Sequence, residues 1–185
     1  VSHMDVKKAG PGTDMLVPVW PSHKNAEVFN FDRILSSEAN TDIGSLKGLL
    51  LVRGDKAANY LDIPVRKSPE GEDEVADAEY EAKVKEYNLR IESSAIMNIQ
   101  AQFDQLIHGI ATTINDILCP NTKLADGTVV LDKDKAPVCI DGETRGIELF
   151  KRKSMDRYTM SADGSYVFNA EDESNVHSLY TIGEI

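Results

Sequence analysis

Histidine and cysteine are scarce in this chain, four and two among 185 residues, and their scarcity removes most metal and thiol chemistry at the outset. Cys119 and Cys139 have no second Cys or His at ligand spacing, so neither a zinc site nor a redox motif forms. They bracket what reads as one hairpin, which leaves a disulfide in an exported protein or two free thiols, the plainer reading. Positive charge is also short: 20 Lys and Arg against 31 Asp and Glu give a net charge of -11. Such a field repels phosphate backbones and anionic headgroups, so neither a nucleic acid nor a membrane surface is an expected partner. No apolar run approaches the roughly 18 residues needed to cross a bilayer, and no charged-then-apolar leader opens the chain. Residues 1–4 (V-S-H-M) read as a cloning scar and carry no argument.

Catalytic signatures are missing as well. There is no G-x-S-x-G elbow, phosphate-binding G-x-x-x-x-G-K-[ST] loop, G-x-G-x-x-G turn or H-E-x-x-H helix. His108 lies among Leu106, Ile107 and Ile110 and reads as a packing residue; His23 and His177 sit in polar turns without partners at motif spacing. The acidic runs at 70–74 and 171–173, and D-K-D-K at 132–135, lack the D-x-[DN]-x-[DN]-G order of a calcium loop. The expectation is a protein that is not an enzyme, with no catalytic, cofactor-binding or metal residues and no cofactor.

What the chain does have is helix. Residues 75–118 carry no Pro or Gly except Gly109 and read as one uninterrupted helix, about 65 Å long at 1.5 Å per residue. A globule of this size is roughly 40 Å across, so such a helix implies an elongated molecule. Its first half, 74–92, is densely charged, with Glu79–Lys83, Glu81–Lys85 and Glu86–Arg90 at the favourable i,i+4 spacing. Its second half, 93–118, is almost uncharged, with a broad apolar arc that must be covered, which makes it internal core. One stripe from Tyr80, Val84, Tyr87 and Ile91 through Ile99, Phe103, Leu106 and Ile110 to Ile117 advances by about 3.7 residues per step, nearer an eleven- than a seven-residue repeat. A helix packed only on its own domain leaves Tyr80, Val84, Tyr87 and Ile91 without cover; self-packing of this half and packing on a partner both stay open, and the four are the expected protein interface.

Around this helix the pattern is mixed. Residues 14–20 and 26–34 alternate apolar and polar across a turn at 21–25, a hairpin in which Pro18 requires an edge strand or a bulge. Thr41 or Asp42 caps a helix over 43–61, weakened by Gly48 and Gly54. Residues 62–73 form a solvated, inserted loop rich in Pro and charge. Pro120 ends the long helix, and A-D-G-[ST]-x-V-[LF]-[DN], at 125–132 and again at 162–169, predicts two similar hairpins with Asp-Gly turns. The expected fold is α+β and elongated: a long-helix core of two main helices flanked by β-hairpins. It comprises one or two structural domains, with a hairpin and first helix at 5–61, the loop at 62–73, the long helix at 74–119 and a β-rich region at 120–185.

Three segments in order, G-S-L-K-G-L-L-L-V-R-G-D at 44–55, F-D-Q-L-I-H-G-I-A-T-T-I-N at 103–115 and G-I-E-L-F at 146–150, resemble the bacterial flagellar hook-associated protein 1 family, the hook–filament junction proteins. That family has a glycine-leucine helix start, an L-D-x-L-A-type helix ending near V-N and a G-x-D-F-F-like element. The insert at 62–77 and L-C-P-N at 118–121 depart from its pattern, and the terminal helical segments with which such proteins polymerise are missing, as in an excised middle fragment. The resemblance implies a non-enzymatic structural subunit, exported to the extracellular flagellum. Its neighbours would be the hook protein and the next junction protein, and the full-length form would self-assemble. Another axial protein, such as the second junction protein or the filament cap, and a secreted binding or adhesion module are the alternatives.

Overall fold

The computed structural model describes residues 3–9, 15–29, 44–66 and 77–185, and within them three α-helices and seven strands in two antiparallel sheets. The proposed cap at Thr41 or Asp42 and most of the inserted loop lie outside the described residues. The chain divides into two units, Val1–Phe103 and Asp104–Ile185, each considered separately below.

The long-helix core is overturned. Residues 77–118 comprise α2 (Asp77–Glu86), a π turn at Tyr87–Ile91, and α3 (Ala95–Leu118). The interruption has a local cause in two serines. The Ser93 hydroxyl donates back to the Leu89 carbonyl (2.8 Å). Ser94 accepts from the Met97 amide (3.3 Å), the geometry of a helix N-cap, and donates to the Val52 carbonyl (3.0 Å). Serine hydroxyls compete with the helical ladder in this way. The longest helix is then 24 residues, about 36 Å, and the premise for an elongated molecule disappears. Mixed α+β holds only in the loose sense.

The other expected main helix is also short. It is α1 (Ser45–Arg53), stopped by Gly54 at φ +81°, whose amide donates to the Leu50 carbonyl (2.9 Å). Only glycine fits there, since a Cβ would lie 2.0 Å from the Met97 sulfur. The chain leaves α1 extended and makes one 3-10 turn, Tyr60–Asp62, closed by a reciprocal cap: Asn59 Oδ1 accepts from Leu61 N and Asp62 Oδ2 from Asn59 N, both at 3.0 Å. The core of this unit is a small cluster of Ala58, Ile91, Met97 and Ala101, with Ile63 and Tyr87 against it, instead of two long helices packed together.

The N-terminal sheet has the order β1-β2-β3, with β1 Asp5–Lys8, β2 Leu16–Trp20 and β3 Ala26–Glu27. Pro18 therefore lies in the central strand, against expectation. Its carbonyl accepts from Val28 N (3.0 Å), so its missing N–H faces the same side, just past the end of β3, and no ladder bond to β1 is lost. Val17 and Val19 are buried on one face of this strand.

The second unit carries both expected Asp-Gly hairpins. β4 (Asn121–Lys123) pairs with β5 (Val129–Leu131), and β6 (Tyr158–Met160) with β7 (Tyr166–Phe168). The turns share one geometry. Gly127 and Gly164, both at positive φ, donate to Leu124 and Ser161, while Asp126 and Asp163 accept from the amides of Thr128 and Ser165. β5 and β7 then pair antiparallel at Val130 and Val167, which occupy equivalent positions in the two hairpins. The sheet β4-β5-β7-β6 is thus two copies of one hairpin related by a local pseudo-two-fold through that pair.

Candidate functional site

α3 has its apolar face outward. Ile96, Ile99, Phe103, Leu106, Ile110 and Ile117 are each between 42% and 68% exposed. The opposite face, with Met97, Ala101, Asp104, Ala111 and Asn115, is buried. A helix that covers its small and polar face and shows its branched aliphatics to solvent has the pattern of a surface awaiting a partner. The six exposed residues follow steps of three and four, with Thr113 completing the run, which is a seven-residue repeat. The slower period read from the sequence belongs to a stripe through Ala95 and Ile114 instead of Ile96 and Thr113. Fully burying one such side chain is worth roughly 1.5–3 kcal/mol, so at about half exposure the six hold roughly 5–10 kcal/mol of unused apolar burial. α1 repeats the theme on a smaller scale, with Leu46, Leu49 and Val52 exposed and Lys47 buried.

The four residues expected at an interface fall elsewhere. Ile91 is 3% exposed, inside the core cluster with Met97 and Ala101. Tyr87 packs against that cluster and donates its hydroxyl to Asn98 Oδ1 (3.0 Å). Tyr80 and Val84 are half-buried and line a shallow depression with Leu89, and Arg66 sits over the Tyr80 ring. The half of the long helix expected to be core is the one that presents apolar surface, while Ile91 lies in the core and Tyr87 packs against it.

Two further arrangements carry polar groups inside the second unit. Asn115, fully buried on α3, holds the segment around Phe150: its Oδ1 accepts from the amides of Leu149 and Phe150 (both 3.0 Å) and its Nδ2 donates to the Phe150 carbonyl (2.8 Å). Arg157, 2% exposed, donates to Asp116 (2.5 Å) and stands over the Tyr158 and Phe168 rings. Burial disfavours its cation, but hydrogen bonds to Tyr158, Tyr180 and Asp116 outweigh it and keep the guanidinium charged. Burial pushes the Cys119 thiol up to about 11 and the Tyr158 phenol to about 12, and raises Glu148. A thiol so placed is protonated and unreactive at neutral pH, and both cysteines are free.

A cavity of about 630 Å³ opens beside Arg157, with Lys133, Arg145 and Glu148 on its wall. Three of its four cations are committed inside the fold: Arg145 donates to the Lys133 carbonyl (2.9 Å), Lys133 to that of Gly164 (3.3 Å), and Arg157 to Asp116, which leaves Lys151 on the wall. That arrangement ties loops together and offers no convergent set for an anion or a reaction. Among the described residues no three metal-ligating side chains come together.

The buried face of α3 carries a signal that periodicity alone overlooks. Ala101, Asp104, Ala111 and Asn115 form a second stripe at helical spacing, small or amide-bearing, suited to close backbone approach. The chain matches no family model, no curated protein and no solved structure.

Proposed function

We propose that this chain is a structural, non-enzymatic subunit of the bacterial flagellum at the hook–filament junction, and that it meets its neighbours through the apolar face of α3. The observation that carries the assembly role is the outward face of α3, a run of half-exposed apolar side chains opposite the buried Met97, Ala101, Asp104, Ala111 and Asn115. The flagellar placement rests on the resemblance of the segments 44–55, 103–115 and 146–150. Two features of the fold support it. Asn115, at the end of the second segment, grips the backbone of Leu149 and Phe150 in the third. Gly54, near the end of the first, lets α3 approach closely at Met97. In this reading the protein is exported, its neighbours are the hook protein and the next junction protein, and weak contacts repeated around an axial polymer supply the cohesion.

The test places Phe103→Glu and Leu106→Glu together in the full-length gene product in its own bacterium. Both side chains are exposed, so the substitutions leave the core intact. The expected outcome is normal hooks, filament subunits shed into the medium and lost motility. Swimming at the wild-type rate with attached filaments would refute the role of α3.

A further inference from the structure

We infer that Asp126 is a site of spontaneous isoaspartate formation in the folded protein, and that the fold withholds the same reaction from Asp141 and Asp163.

The chain holds three Asp-Gly pairs, at 126–127, 141–142 and 163–164. Glycine has no side chain to shield its nitrogen, so in a flexible chain all three react alike. The chemistry needs only water. The Gly127 nitrogen attacks the side-chain carboxyl carbon of Asp126 and gives up its proton, a carboxyl oxygen departs as water, and a five-membered imide closes. Water then adds to the main-chain carbonyl of the imide, whose bond to nitrogen breaks, and the chain continues through the side-chain carbonyl. The product is an isomer of equal mass, with one more carbon in the backbone and a free α-carboxylate.

All three pairs lie in turns of one construction. Glycine at positive φ donates its amide to the carbonyl three residues back: Gly127 to Leu124, Gly142 to Cys139 and Gly164 to Ser161. An amide so engaged, beside a carboxylate that is itself bonded, reacts only when the turn opens. The rate is then set by what holds each turn shut.

The holding groups differ. At Asp126 a single residue binds the carboxylate, Thr128 through its amide (2.9 Å), and among the described residues no hydrogen bond from elsewhere in the chain reaches the turn at 124–128. At Asp163 the Ser165 amide (3.0 Å) and hydroxyl (2.7 Å) both bind, and Lys133 reaches across to donate to the Gly164 carbonyl (3.3 Å) while lying over the Tyr166 ring. Asp141 takes the amides of Glu143 (3.0 Å) and Thr144 (2.9 Å) and the Thr144 hydroxyl. Its hairpin is closed by a bridge between Val138 and Arg145, and Arg145 donates to the Lys133 carbonyl (2.9 Å). Ionisation does not separate the three, since hydrogen bonds hold every one of these carboxyls below its ordinary range, led by the Thr128 amide at Asp126, the Thr144 hydroxyl at Asp141 and the Ser165 hydroxyl at Asp163. Each further bond to be broken slows opening roughly fivefold, which sets Asp126 at least about tenfold ahead. Its isomerisation lengthens the backbone inside a tight turn, so the bond from Gly127 to Leu124 is lost and β4, at the edge of the sheet, comes free of β5.

The test incubates the intact chain at pH 7 and 37 °C for about two months, folded and in concentrated urea. Trypsin cuts at Lys123, Lys133, Lys135, Arg145 and Arg157, which puts each Asp-Gly pair in its own peptide, and electron-transfer fragmentation tells isoaspartate from aspartate. The expected result is isoaspartate at all three pairs alike in urea and, in the folded chain, at Asp126 at least about tenfold faster than at Asp141 or Asp163. Lys133→Met, which releases the Gly164 carbonyl, should speed Asp163 about fivefold while the Asp126 rate and the circular dichroism stay unchanged. Asp126 no faster than the other two in the folded chain, or silent there while urea produces isoaspartate, overturns the assignment. So does the same ranking in urea, which would give the order to neighbouring residues and not to the fold. An unaltered Asp163 rate in Lys133→Met overturns the claim that the holding bonds set the ranking.

Discussion

Replacing Asn115 with alanine should loosen the second unit, and the size of the effect follows from the three hydrogen bonds its side chain makes. Two amides, of Leu149 and Phe150, lose their acceptor and the Phe150 carbonyl loses its donor. At about 0.5–1.5 kcal/mol net per bond the loss spans roughly 1.5–4.5 kcal/mol. Asn115 is fully buried, which hinders water from replacing the amide and places the expectation near 3 kcal/mol. Urea unfolding followed by circular dichroism measures the total. Hydrogen exchange at Leu149 and Phe150 supplies the local readout, with protection expected to fall about a hundredfold, the equivalent of that energy. Asn115→Asp separates the two halves of the interaction. It keeps the acceptor but sets a second oxygen against the Phe150 carbonyl, so it should be destabilising at pH 7. Relative to the parent it should recover on acidification, because a protonated carboxyl can donate where the amide did. An alanine variant that costs under about 0.5 kcal/mol, with exchange unchanged at Leu149 and Phe150, would refute the claim that Asn115 anchors this segment.

Two other perturbations have opposite or pH-dependent signs. Gly54→Ala puts a Cβ into Met97 at a positive φ and should cost at least about 2 kcal/mol, whereas Gly48→Ala, with nothing within 4 Å, should stabilise α1 by about 0.5–1 kcal/mol. Thermal unfolding followed at Trp20, the chain's one tryptophan, reads both, and equal effects would contradict the assigned geometry. Burial raises the Cys119 thiol from 9.0 to about 11, so the unfolded chain loses its proton first; stability contributed by this group is complete below pH 9 and drains away as pH rises to 11. The loss should approach about 2–3 kcal/mol, and Cys119→Ala should flatten the profile over that window in alkaline urea titrations; a variant as pH-sensitive as the parent would show that another group is responsible.

Local chemistry was legible wherever a few adjacent residues decide the outcome. Asp126-Gly127 and Asp163-Gly164 announce their hairpins because a positive φ after an aspartate has few other uses, and both turns are present. Ser93-Ser94 carried an equally local signal, a cap and a back-bonding hydroxyl, but it lay at the join of the charged and uncharged halves with no Pro or Gly to mark a break, and a single rod was the result of reading across it. The π turn compounded this. Ile91, at its end, lies in the core cluster. β1 had little to show, since D-V-K-K holds one apolar residue.

Sequence alone determined that residues 95–118 form a strongly amphipathic helix, that the chain's negative charge disfavours nucleic acids and anionic membranes, and that its Asp-Gly pairs turn the chain. It did not determine which side of that helix the molecule covers. An apolar stripe is the same string of letters whether it faces an internal core or a partner, because periodicity records the separation of polar from apolar residues and not what lies opposite them. Only the tertiary contacts of Met97, Ala101, Asp104 and Asn115 decided that this face turns inward and leaves Ile99, Phe103, Leu106 and Ile110 exposed.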